Sequence, residues 1–360
     1  MKWNRDCKSF QGVYACDILK TENYKDCSEC KFYEPYSKKI LILKIGAIGD
    51  VIRTTPILNG LRKKYGEDIH ITWVIGKESY DLIKNNEYVD KTLLYNEETI
   101  LRLKKEKFDI LLSLEIAPPA TLLANEINSN EKFGYFFDED SHPSVFNKKA
   151  EPYLDRVFSD KIDKETKKTY QEMLFEIIEL DYNKEEYVIP LTKQEYAQKF
   201  KRDKKLGDKI IGINVGSGSR WPSKRWDIEK LKELIKKIKQ ERDYDILLLG
   251  GPEEEEVLRS LSKELGVVEN YPSNTILEYI SIANLCDLII TGDTITMHLG
   301  IGLNKKIIAL FFCTPPWQIE DYGRVKKLTS SLLDKHYFDN QYHEDLVNSI
   351  SVEEVFNQIE

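Results

Sequence analysis

From residue 38 onward, short aliphatic runs alternate with amphipathic stretches of 10–15 residues. That alternation restricts the chain to strand-helix units, and hence to parallel sheets with helices on both faces. The spacing predicts strands over 40–43, 69–75, 89–94 and 108–114, and a helix over 170–180. The stretch 115–151 is less regular. After a polar segment the pattern restarts, with strands over 209–214, 245–249, 288–291 and 307–311 and helices over 227–239, 253–265 and 276–285. A chain of 360 residues is too long for one ordinary core, so two doubly wound Rossmann-like α/β domains are expected. The boundaries read as a Cys-rich segment over 1–37, a first domain over 38–191, a linker over 192–208, a second domain over 209–342 and a closing helix over 343–360. Two such lobes would place the carboxyl ends of both sheets around a cleft, where open α/β sheets bind ligands.

Charge excludes one class of partner. The halves before and after Pro190 carry 29 and 24 basic residues against 34 and 27 acidic ones, so neither is a basic nucleic-acid module. The longest uninterrupted apolar run, 307–313, is seven residues. A membrane helix needs about 20, and the N-terminus lacks a signal-peptide pattern, so a cytoplasmic location is expected.

Four segments concentrate glycine, hydroxyl and charged residues where a strand turns into a helix. In the first, Gly46 and Gly49 allow close backbone approach, and Asp50 at the helix start reads either as a cap or as a general base kept ionised by the helix dipole. The second, 215–226, holds Ser217, Lys224, Arg225 and Trp226, with small residues exposing amides to phosphate oxygens and Lys224 supplying a point charge. It does not match the P-loop consensus. The third, 249–256, brings Glu254 into a first helical turn, where an acid is ordinary helix-start chemistry or a ribose partner. The fourth, 291–298, offers Asp293, Thr294 and His298 on entering turns of one helix, suited to an anion. Neither a Gly-x-Ser-x-Gly elbow nor Gly-x-Gly-x-x-Gly is present.

Together the four segments resemble glycosyltransferase family 9, the heptosyltransferase family, over about residues 39–323. Gly46-Ala47-Ile48-Gly49-Asp50 with Thr54-Thr55-Pro56 matches its Gly-x-x-Gly-Asp and Thr-x-Pro turn. Lys224-Arg225-Trp226 matches its phosphate-binding segment, Gly250-Gly251-Pro252-Glu253-Glu254 its ribose-side segment, and Asp293 to His298 its Asp-Thr-Gly-x-x-His segment. Ile295 and Phe312 stand where the family carries glycine. The resemblance implies a GT-B fold with the acceptor on the N-terminal lobe and the nucleotide-sugar on the C-terminal one. It further implies inverting, metal-independent transfer of a heptose-like sugar from an ADP-heptose-like donor to a surface-glycan or lipid-linked acceptor, as in lipopolysaccharide biosynthesis. Asp50 would be the catalytic base, and Lys224, Thr294 and His298 would hold the departing diphosphate. Peripheral contact with the inner face of the plasma membrane would accompany a lipid-linked acceptor. The alternatives are a GT-B transferase or epimerase using another donor, and a catalytically silent nucleotide-sugar-binding scaffold.

Cys7, Cys16, Cys27 and Cys30 lie within 24 residues, separated by eight, ten and two residues. In a reducing compartment such a cluster is not a disulfide framework. Four thiolates in a short segment with little core of its own fit a structural tetrahedral Zn²⁺ site, with an iron-sulfur cluster or unrelated thiols as alternatives.

Overall fold

The aliphatic runs form strands buried on both faces, as parallel sheets require. In the computed structural model, which describes residues 1–10 and 12–359, the first sheet contains β1 (Lys39–Leu43), β2 (His70–Ile75), β3 (Lys91–Leu94), β4 (Lys107–Ser113), β5 (Asn128–Phe137) and β6 (Pro143–Val145). Their order is β3-β2-β1-β4-β5-β6. The first five are mutually parallel, with Ile42 opposite Trp73 on one side and Leu112 on the other. β6 runs antiparallel to β5.

The second sheet contains β7 (Ile210–Asn214), β8 (Asp245–Leu249), β9 (Val268–Glu269), β10 (Leu288–Gly292), β11 (Lys306–Phe311) and β12 (Val325–Thr329). It is parallel throughout, in the order β12-β11-β10-β7-β8-β9. Its core gathers Ile211, Ile213, Leu234, Leu248, Ile308 and Phe312. The chain thus contains two Rossmann-like α/β units.

Several expectations are corrected. The irregular 115–151 stretch holds a helix, Pro118–Glu126, and the long strand β5; β5 opens Asn-Ser-Asn-Glu-Lys and so carries no aliphatic signature in its first half. The single helix expected after Gly49 is two, Ile48–Thr54 and Pro56–Tyr65. Pro56 has no N–H to continue the ladder, and Thr55 instead donates its amide to Ile52 O at 3.1 Å. The 192–208 linker, read from the sequence as a connection open to a helix, does hold one, Gln194–Asp203, burying Ala197 and Phe200. The closing helix is two short ones, Glu344–Val347 and Val352–Phe356. Ser351 starts the second with a capping box to Glu354.

The chain packs as two units, each built from several segments. One comprises Met1–Ala47, Pro56–Asp155 and Leu174–Glu185, and the other comprises Ile48–Thr55, Arg156–Met173 and the chain from Glu186 on. The short Ile48–Thr55 excursion follows from its partners. Gln171 Nε2 donates to Arg53 O at 3.0 Å, and Val188 N donates to Thr55 Oγ1 at 3.0 Å.

Gly134 in β5 has φ +92°, and a Cβ there would lie 1.9 Å from Ser113 O on β4. Because the obstacle is backbone, the sheet edge itself would have to move. Gly134→Ala is expected to cost at least about 2–3 kcal/mol of unfolding free energy in urea titration, from strain and clash together. A loss within 0.5 kcal/mol, roughly the scatter of neutral surface changes, would contradict this packing.

Candidate active site

The strand-to-helix turns of the second unit converge on a few charged groups. β10 ends at Gly292, and Asp293 and Thr294 lead into the helix Ile295–Gly302. Thr294 occupies the cap position without a side-chain cap bond. The leading amides of this helix therefore present a positive dipole end without an internal side-chain anion. Gly292 is required here because a Cβ would lie 2.6 Å from Lys224 O. That close approach sets the 222–225 turn beside Asp293, where Lys224 Nζ donates to Asp293 Oδ2 at 2.8 Å.

The pair is almost sealed, with the Lys224 and Asp293 side chains 18% and 14% exposed. Burial alone would raise the Asp293 carboxyl, but Lys224, with His298 behind it, holds it well below the usual carboxylate range. His298 Nε2 lies 3.9 Å from Asp293 Oδ1, and its ring stacks on Tyr187 with centroids 6.4 Å apart. Burial pushes the His298 imidazole down to about 4, against the opposing Asp293 charge. It is therefore neutral near pH 7, and its buried Nδ1 has no hydrogen-bond partner.

The Ile48–Thr54 helix packs in the same unit. The position of a Cβ on Gly49 lies 3.1 Å from His298 Cδ2, so a glycine brings this helix against the imidazole. Asp50 sits in the first helical turn rather than at the cap. Arg53 Nη2 lies 2.7 Å from Asp50 Oδ1, and its guanidinium covers the Tyr170 ring at 3.8 Å. Burial would lower the Arg53 pKa, but the Asp50 carboxylate overrides it, so the guanidinium is firmly cationic. The buried Arg53 Nε is unpartnered.

Asp50, Gly49, Lys224, Asp293, Thr294 and His298 thus belong to one packed constellation, in which the Thr294 hydroxyl meets Thr291 Oγ1 at 3.0 Å; the other expected ligand residues make contacts of their own. The Gly46 amide donates to Glu115 Oε2 at 2.9 Å, and the Ile45 amide to the same oxygen at 2.7 Å. Glu254 accepts from Gly218 N at 3.0 Å through Oε1 and from Gly251 N at 2.9 Å through Oε2. It clamps two glycine turns together. Ser217 Oγ donates to Trp221 O at 2.6 Å, and Arg225 Nη2 donates to Gly218 O. Both shape the 216–225 turn. Phe312 is 1% exposed in the second core and takes no part in the site; Ile295 is half-buried at the helix start. Arg53, Glu115 and Tyr187 were not anticipated. The i,i+3 spacing of Asp50 and Arg53 was the available signal for the first.

The four N-terminal cysteines line one small apolar pocket with Phe10 and Leu19. All are half-buried and none forms a disulfide.

The glycosyltransferase family 9 (heptosyltransferase) model matches residues 99–346. The chain belongs to this family. It is 26% identical over 302 residues to lipopolysaccharide heptosyltransferase 1 of Campylobacter coli, covering 78% of this chain and 85% of the relative. Among solved structures, a family 9 glycosyl transferase from Veillonella parvula superposes with a TM-score of 0.71 at 23% identity, covering 90% of this chain and 96% of that one. E. coli ADP-heptose lps heptosyltransferase II superposes with a TM-score of 0.65 at 16% identity, covering 89% and 97%. These neighbours carry the GT-B fold of two parallel-sheet Rossmann-like domains. Among the described residues no helix is long and apolar enough to cross a membrane.

The depressed His298 pKa has a stability consequence. The unfolded imidazole, near 6.5, takes up a proton that the folded one refuses until about pH 4, so stability falls as pH drops through that window. His70, also pushed down to about 4 by burial, adds to the same slope. His298→Asn should remove its share, up to about 3 kcal/mol, of the loss between pH 6.5 and 4. Thermal melts across that range check it, and an unchanged slope in the variant would contradict a buried neutral imidazole.

Proposed function

We propose that the chain is an inverting, metal-independent heptosyltransferase. It moves a heptose-like sugar from an ADP-heptose-like donor to a hydroxyl of a bacterial surface-glycan or lipid-linked acceptor. The observation that carries this reading is Asp50, paired with Arg53, in the same packed constellation as Lys224, His298 and the uncapped start of the Ile295–Gly302 helix. The ADP-heptose in the name of the E. coli neighbour and the heptosyltransferase names of the relatives agree with the donor class.

In this mechanism the Asp50 carboxylate takes the proton of the acceptor hydroxyl. The oxygen attacks the anomeric carbon as the bond to the diphosphate breaks, with inversion in one displacement. The negative charge that develops on the leaving diphosphate meets Lys224, the Thr294 hydroxyl, the leading helix amides and a neutral His298 that can donate a hydrogen bond. Asp293, an ionised carboxylate, is unsuited to gripping phosphate and acts by positioning Lys224. Gly46, Ser217, Arg225 and Glu254 shape the turns. The acceptor side would be served from the cytoplasmic face of the membrane.

Acceptor-dependent ADP release from ADP-heptose tests the reading. Asp50→Asn should lower kcat by about 10²–10⁴-fold with ADP affinity retained, as for loss of a general base. Lys224→Ala should instead weaken ADP binding and lower kcat by roughly 10²–10³. Full turnover by the Asp50 variant would refute the assignment, and donor consumption without acceptor would favour an epimerase.

The N-terminal segment has its own reading: Cys7, Cys16, Cys27 and Cys30 hold a structural Zn²⁺. Their support is the shared apolar pocket and a segment that buries little besides Asn4, Leu19 and Asp26. Ligation requires the sulfurs to draw in to tetrahedral spacing. Elemental analysis should find zinc in the purified chain and one zinc fewer in Cys27→Ala and Cys30→Ala. Stoichiometric iron with visible absorption would assign a cluster instead, and neither metal would leave the cysteines as ordinary thiols.

A further inference from the structure

A second set of metal-type donors lies far along the chain, from the segment after β12 into the first turn of the Glu344–Val347 helix. Among the described residues, His336, His343 and Asp345 form the one group of three or more His, Cys, Asp or Glu residues whose donor atoms all lie within 4.8 Å of one another. His336 is 5% exposed, and its Nε2 is buried without a hydrogen-bond partner. That orphaned nitrogen lies 3.9 Å from Asp345 Oδ2. The two imidazole centroids are 4.2 Å apart. Asp339 Oδ2 sits 2.7 Å from His343 Nε2 and 3.6 Å from His336 Nδ1. Lys335 Nζ contacts Asp345 Oδ2 at 3.0 Å.

We propose that His336, His343 and Asp345 bind a divalent transition-metal cation of the Zn²⁺ type, with Asp339 orienting the imidazoles. Two imidazoles and a carboxylate are the nitrogen and oxygen donors such an ion takes, and a carboxylate beside the second ring nitrogen is the usual outer support of a metal-bound histidine. A buried Nε2 without a partner costs free energy that ligation would recover. The His343 and Asp345 side chains, 33% and 53% exposed, give the ion a route from solvent. Three protein ligands leave a fourth position for water. The ion would cross-link the 336–345 segment, which also anchors to the turn just after β11 through Phe338 N donating to Cys313 O at 2.8 Å. The site is independent of the transferase reading and of the cysteine pocket.

The test uses the full chain, saturated with Zn²⁺, freed of excess metal by buffer exchange and analysed for zinc per chain. His343→Ala and Asp345→Ala, both at solvent-accessible positions, should each retain one zinc fewer than the parent, whatever the cysteines hold. Asp334→Ala, whose side chain is 91% exposed, should match the parent. Asp339→Asn should weaken the Zn²⁺ affinity about 10–100-fold. With Co²⁺, the absorption lost in the His343 variant should consist of d-d bands without sulfur charge transfer, which separates this site from the cysteines. A melting temperature raised by Zn²⁺ in the parent, but not to the same extent in Asp345→Ala, gives a second readout. Equal zinc content and equal Zn²⁺ response in the parent and both alanine variants would overturn the proposal.

Discussion

The approach of the Ile48–Thr54 helix to His298 is the contact on which the candidate site depends. The absence of a side chain at position 49 permits it without displacement: a Cβ there would lie 3.1 Å from His298 Cδ2 and make the imidazole shift. Asp50 and Arg53 share that helix and belong with it to the second unit, even though β1, which ends four residues before Ala47, belongs to the first. The glycine's role is thus to let one helix pack closely, a different task from exposing an amide to phosphate. Gly46 shows the contrast, since its amide is already occupied by Glu115.

Electrostatics then sorts the charged residues into roles. Lys224 and Asp293 are a largely buried pair, and breaking such a pair by removing one member leaves an uncompensated charge. Its geometry fixes the ammonium at the opening of the Ile295–Gly302 helix. Burial keeps His298 neutral, so that residue contributes a dipole rather than a charge. Arg53 is the opposite case, a buried guanidinium kept cationic by the Asp50 carboxylate and the Tyr170 ring.

The repeated strand-helix alternation made the two doubly wound units legible, because parallel strands buried on both faces read as aliphatic runs. β5 was not legible, since its opening residues are polar and it gains its place by pairing with β4. Pro56 could have signalled the helix break, and Ser351 with Glu354 the late helix start. At the site, spacing brought out Asp50, Lys224, Asp293, Thr294 and His298. It missed Glu115 and Tyr187, which reach their partners across long sequence separations. Glu254 was legible as a helix-start acid, but its clamp on the Gly218 and Gly251 amides depends on how two turns meet. Phe312, which stands where the family carries glycine, is core packing.

A crystal structure of the chain with ADP-heptose bound would test the central claim most directly. The diphosphate is expected within hydrogen-bond distance of Lys224 Nζ and the first amides of the Ile295–Gly302 helix, with the Asp50 carboxylate directed at the anomeric carbon's open face. A donor seated away from Lys224, or an Asp50 side chain turned from the sugar with another base in its place, would contradict it.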